Sequence, residues 1–131
     1  TLAGISSKAI KETSYHIRHS EQWMLRLGDG TEESHSRLQN AVNELWSYTN
    51  EMFFTDEVEK VLTENKIIPS LQSISSQWKE KVEKCLLEAT IVVPTNGFQH
   101  NGGRIGKHTE HLGHLLSEMQ ILARSHPNAK W

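Results

Sequence analysis

The sequence predicts an all-α fold, a bundle of four or five helices in a single domain over 1–131. Three observations carry this expectation. Apolar residues recur at spacings of three and four through most of the chain. Glycine, proline and capping residues fall between those runs. The β-branched residues form one short cluster, Ala89-Thr90-Ile91-Val92-Val93-Pro94, where at most one short strand is expected.

The first helix is expected from Ser6 to Leu27, with Ser6 or Ser7 as N-cap, and the later elements should pack on it. Gly28 is read as a left-handed C′ residue, and Asp29-Gly30-Thr31-Glu32 as a tight corner with Asp29 as the next cap. The GDG triplet lacks the alternating acids of a calcium loop, so it reads as turn chemistry. Helix two should run from Glu32 to Phe53, with Leu38, Val42, Leu45, Trp46, Thr49, Met52 and Phe53 on one face. Asp56 caps a shorter helix over Glu57 to Glu64, which Asn65-Lys66 ends. Pro69 suits the first turn of a long helix from about Ser70 to Glu88, facing the core with Leu71, Ile74, Trp78, Val82, Cys85 and Leu86.

Thr95 to Gly106, with Asn96, is an irregular loop. Its GRIGK ending fails as a phosphate loop, since Asn101 stands where the first glycine belongs and His108 follows Lys107. The last helix is expected from Ile105 to Ser125, with His108, Leu112, Leu115, Met119 and Leu122 as a packing seam, and His126-Pro127 closes it.

Composition narrows the function classes. With 131 residues the chain has the size of one ordinary domain, and a hydrophobic fraction of 36% is low enough to suggest a surface that a partner covers. The formal charge of −2 gives no reason to expect nucleic acid or an anionic membrane. No apolar run approaches the ~20 residues of a membrane span. A single cysteine, Cys85, fits a reducing cytoplasm and a structural thiol. Thr1-Leu2-Ala3-Gly4 has no features of a signal peptide and reads as the edge of a longer chain.

Three constellations could carry chemistry. His108-x-x-His111-x-x-His114, with Glu110 and Glu118 beside it, would spread three imidazoles over one helix; zinc needs ligands from a second element, so an interface face is preferred, with His108 partly buried and His114 paired to Glu118. Glu32-x-x-His35 has the spacing of a carboxylate-bridged di-iron ligand pair but sits in a first helical turn, where capping explains it. No nucleophile elbow is present, and a hydrolase has no basis. Glu12, Tyr15, His16, Arg18 and His19 lie among apolar Ile10, Ile17, Trp23, Met24 and Leu27, a mixture that in a helical bundle points to a metal site or its remains.

KETSYHIRHSEQWMLRLGDGTEESHSRLQNAVNELWSYTNEMF near the start, and GRIGKHTEHLGHLLSEMQ with HPNAKW at the end, resemble the C subunits of bacterial ring-1,2-phenylacetyl-CoA epoxidases, within the ferritin-like superfamily. The resemblance covers nearly the whole chain. It implies a ferritin-like bundle of which earlier helices are missing, so that the chain is the C-terminal half of a longer subunit. It also implies a catalytic A subunit that holds two irons and epoxidises the aromatic ring of phenylacetyl-CoA with dioxygen. In that sister subunit the comparable helix offers a Glu-x-x-His pair, whereas the matching residues here are Thr13-Ser14-Tyr15-His16. Glu12 is one residue away, and one residue turns a side chain by ~100° around a helix.

The resemblance therefore implies a non-catalytic structural subunit. Glu12, Thr13 and His16 would be remnants of a degenerate metal site, with Glu12, His16 and His19 in a buried polar network. The chain itself is expected to bind no cofactor, and iron belongs to the partner. Expected contacts with the A subunit, chosen by residue type, are Trp23, Arg26, Trp46, Tyr48, Arg104, His108, Glu110, His111 and Met119. As a fragment the chain is expected to self-associate. The alternatives are a di-iron oxygenase or ferroxidase whose other ligands lie on the missing helices, and a free-standing regulatory module.

Overall fold

A computed structural model describes residues 2–95 and 97–130. Thr1, Asn96 and Trp131 lie outside the described residues. The described elements are all helical: α1 (Leu2–Gly28), α2 (Glu32–Leu45), α3 (Glu57–Glu64), α4 (Leu71–Glu88) and α5 (Glu110–Ser125), with three short 3₁₀ segments. This is the all-α class that the periodicity predicts. The chain divides into two compact units, one ending at Gln99 and one beginning at His100.

In the first unit α1 packs on α2 and on α4. The buried hydrophobics are Leu38, Leu86, Ala89 and Ile91, with Met24, Leu25, Val42, Trp46, Val82 and Val93 packed around them. This core lies at one end of α1. Every described residue from Leu2 to Ser20 is exposed, and Glu21 is the first that is partly covered. Five turns of α1 thus project past the elements that hold its last two.

The corner after α1 is built differently from the expectation. Gly28 is the last helical residue and is not among the positive-φ glycines, which are Gly102 and Gly106. Its lack of a side chain serves a close approach instead: a methyl group there would overlap the carbonyl of Ala89 at the end of α4. The cap of α2 is Thr31 and not Asp29, its hydroxyl accepting from the Ser34 amide at 3.2 Å. Ser34 Oγ donates to the Leu27 carbonyl at 2.9 Å, which satisfies an orphan acceptor at the end of α1.

Helix two stops at Leu45, eight residues early, and continues as 3₁₀ turns over Trp46–Tyr48 and Asn50–Phe53. Ser47 and Thr49 hydroxyls donate back to the carbonyls of Glu44 (3.1 Å) and Trp46 (2.8 Å), the kind of local bond that loosens an α-helix. The tighter winding sets Trp46 and Phe53 against Trp78 of α4, with ring centroids 5.9 and 5.4 Å apart, while Leu45 and Met52 of the expected face stay exposed. Asp56 caps α3 as predicted, in a reciprocal box with Glu59. Lys66 ends that segment at φ 57°, and Pro69 sits outside α4, just before its N-cap Ser70.

No strand forms over 91–95 among the described residues. The extended strap is held by one side chain: Gln39 Nε2 donates to the Val92 carbonyl at 2.9 Å, and the Val92 amide donates to Gln39 Oε1 at 2.8 Å. An amide side chain thereby does for the strap what a neighbouring strand would do in a sheet.

In the second unit α5 begins at Glu110, five residues later than expected, with Thr109 as N-cap. Gly106 at φ 92° cannot continue a right-handed helix, and the Lys107 amide closes the loop by donating to the Gly102 carbonyl at 2.8 Å. His108 is therefore outside the helix and exposed, so the three-imidazole face on one helix is not formed. No ion pair joins His114 to Glu118 among the described residues, and Leu115, Met119 and Leu122 are exposed.

Replacing Gly28 with alanine is expected to lower the unfolding free energy by at least about 2 kcal/mol, because the rigid Ala89 backbone cannot yield. Gly4, with open space around it, provides the control: Gly4→Ala should be neutral or gain up to about 1 kcal/mol. Urea unfolding of both variants checks this, and equal midpoints would contradict it.

Candidate functional site

The remnant residues lie on the projecting part of α1. Glu12 Oε1 and His16 Nε2 are 4.0 Å apart across one turn, a weak pair with both side chains more than 60% exposed. His19 is exposed as well. The expected buried polar network is thus corrected: within this chain Glu12, His16 and His19 are all exposed.

Thr13 and His16 share a face of α1 with Ile17, Ser20, Glu21 and Met24. Together with Trp78, Val82, Cys85 and Leu86 of α4 they line an open, mainly apolar groove of about 370 Å³. Lys81 Nζ and Glu21 Oε1 tie its two walls at 3.6 Å. Burial pushes the Cys85 thiol above the usual range, and the charges of Glu21 and then Glu88 add to that effect. The thiol is therefore a poor nucleophile at neutral pH.

A carboxylate-bridged pair of irons needs several anionic ligands converging on one point. The donor set here does not fit that need. Thr13 offers a neutral hydroxyl three residues before His16, and among the described residues no three His, Cys, Asp or Glu side chains are grouped to hold a metal. His35 has a structural use. Its Nδ1–H donates to the Gly28 carbonyl at 2.9 Å, and the Thr90 hydroxyl reaches the same carbonyl at 3.3 Å. Glu32 stays exposed in the first turn of α2.

The residues chosen as contacts divide into two sets. Trp23 is 47% exposed, and the Arg26 guanidinium lies over its ring at 5.7 Å. Tyr48, Arg104, His108, Glu110, His111 and Met119 are also exposed. Trp46 is half-buried against Trp78 and belongs to the unit's own packing. Residue-type reasoning missed a larger hollow of about 710 Å³ lined by Trp46, Phe53, Trp78, Asn50, Lys79 and Gln99, among others. Gln99 Oε1 is buried there without a hydrogen-bond partner among the described residues. The signal for this hollow was the break in α2, which the periodicity hid.

These features define an all-helical chain, consistent with a ferritin-like bundle, with a large uncovered helix face. The family model described as "Phenylacetic acid catabolic protein" matches residues 1–131, and the chain belongs to that family. The C subunit of the 1,2-phenylacetyl-CoA epoxidase of Escherichia coli (strain K12) is 44% identical over 130 residues. That alignment covers 99% of this chain and 52% of the relative, so the chain spans about half the length of the curated relative it matches. No described helix is long and apolar enough to cross a membrane.

The Cys85 reading is tested by its reaction with a disulfide reagent. Its pH midpoint should lie above that of an unfolded control, and Glu21→Gln should move it part of the way down. A midpoint that Glu21→Gln leaves unmoved would contradict the charge contribution.

Proposed function

We propose that this chain is part of a non-catalytic structural subunit of a phenylacetyl-CoA ring-epoxidising oxygenase, acting in the cytoplasm in aerobic phenylacetate breakdown. Its role is to brace the di-iron catalytic A subunit, which holds the iron and performs the oxidation. The observation that carries this reading is the donor set around His16: a hydroxyl at Thr13 where an anionic ligand would be required, and Glu12 one residue out of register. The family match and the relative named as the C subunit of such an epoxidase support the assembly.

The uncovered length of α1 supports the bracing role. Ile5, Ile10 and Ile17 are 65%, 63% and 39% exposed, more apolar surface than a free helix keeps in water at no cost. Interfaces that are obligate bury surfaces of this kind. The fragment on its own should self-associate through the same side chains, in place of its natural partners.

Two expected outcomes test the proposal. The full-length subunit should co-purify with the A subunit and contain well under one iron per chain when isolated. His16→Ala should leave the iron content and the epoxidase rate of the complex within about twofold of the wild type, an effect of less than about 0.5 kcal/mol. A stoichiometric loss of iron from the isolated subunit on His16→Ala would decide for the rival di-iron enzyme.

A further inference from the structure

α1 carries a second surface, distinct from the groove residues Thr13, His16, Ile17, Ser20 and Met24. Tyr15, His19 and Trp23 follow one another at four-residue spacing. The Tyr15 and His19 rings are stacked with centroids 6.1 Å apart, and His19 meets the Trp23 ring edge-on at 6.4 Å. Arg18 places its guanidinium carbon 5.7 Å from the Tyr15 ring centre, and Arg26 does the same over Trp23 at 5.7 Å. Two guanidinium groups, each lying over an aromatic ring, thus flank a ladder of three rings. All five residues are exposed.

The charges on this helix are sorted. α1 holds only two acids, Glu12 and Glu21. Glu12 is directed to His16, and Glu21 reaches across to Lys81 on α4. Neither Arg18 nor Arg26 meets a carboxylate among the described residues, so the ladder keeps two uncompensated positive charges. A guanidinium 5.7 Å from a ring centre is within cation–π range of it. Its edge, with the N–H fork that matches a carboxylate, stays free. Eight residues separate the two groups, about 12 Å along the helix axis.

We propose that this ladder is a docking surface for a helical segment of a partner protein that carries two carboxylates seven or eight residues apart, with apolar side chains between them to cover Tyr15 and Trp23. Seven to eight residues of helix span about 11–12 Å, which matches the separation of the two forks. Trp, Tyr and Arg are the residues in which binding energy concentrates at protein interfaces. A nucleic acid fits less well. The chain is formally −2, which gives no excess of positive charge to hold a phosphate backbone. The proposal rests on the reading of this chain as one subunit of a larger assembly and names the surface and the chemistry of the contact.

The test uses the full-length protein co-expressed with the other epoxidase subunits. Affinity for them is compared for wild type, R18E/R26E and R18K/R26K, each checked for unchanged helix content by circular dichroism. In parallel, a photo-crosslinking phenylalanine replaces His19. R18E/R26E should weaken binding at least tenfold, and R18K/R26K by a smaller factor, because lysine keeps the charge and loses the fork. The crosslink should map to a helix of another subunit with two acids seven or eight residues apart. Binding by a folded R18E/R26E equal to wild type would overturn the docking surface and leave the subunit reading standing. So would a crosslink to nucleic acid, to a second copy of this chain, or to a peptide without acids. Failure of the wild type to bind any subunit would overturn both.

Discussion

The first unit depends on the place where the ends of α1 and α4 meet backbone to backbone. Gly28 allows that approach because it has no side chain, and Ala89 opposite is fully buried. Around this contact the polar groups are satisfied in turn, with His35 and Thr90 both donating to the Gly28 carbonyl and Ser34 to that of Leu27. Thr90 is held at φ 60°, a left-handed conformation that costs a β-branched residue on the order of 1–3 kcal/mol. Packing of the next two residues offsets that cost: the turn drops Ile91 into the core and lays Val92 against Gln39.

A core of this size has consequences for dynamics and assembly. Only four hydrophobic residues are buried among the described residues, Leu38, Leu86, Ala89 and Ile91. That packing is held at the Gly28 end of α1 and is lost towards Leu2. Most helical stability in proteins comes from packing of an apolar face, and residues 2–20 of α1 are all exposed. Its lasting order requires surfaces that this chain does not itself supply. Both faces of the projecting part have uses to offer, an apolar groove wall on one side and the aromatic and guanidinium ladder on the other.

Much of this architecture was legible in the sequence. The helical class, the Asp56 cap, the break at Asn65-Lys66 and the ending at His126 all follow from local chemistry that a side chain performs within a few residues of itself. The departures share a different cause, since most depend on contacts distant in sequence. Gly28 reads as a left-handed terminator until Ala89, sixty-one residues on, is seen to need the space. Helix two reads as continuous because its periodicity is unbroken, yet Trp78 draws Trp46 and Phe53 into a tighter winding. His108 reads as part of a helix that starts at Ile105 because its spacing fits, but Gly106 two residues earlier has the wrong hand. Thr13, three residues before His16, was visible in the sequence, whereas the exposure of Glu12, His16 and His19 was not. Burial is a property of neighbours, and the neighbours these residues have in this chain leave them exposed.

The central claim is that the first five turns of α1 form an arm completed only by other polypeptide, anchored by the Gly28 corner. Amide hydrogen exchange, measured on the chain alone and then with the proposed partner subunits present, tests it most directly. The account predicts slow exchange over 21–28 in both states, with fast exchange over 2–20 alone that slows by at least about tenfold in the assembly, roughly 1.4 kcal/mol of added protection. Equal protection along the whole of α1 in the isolated chain, unchanged on adding the subunits, would contradict it.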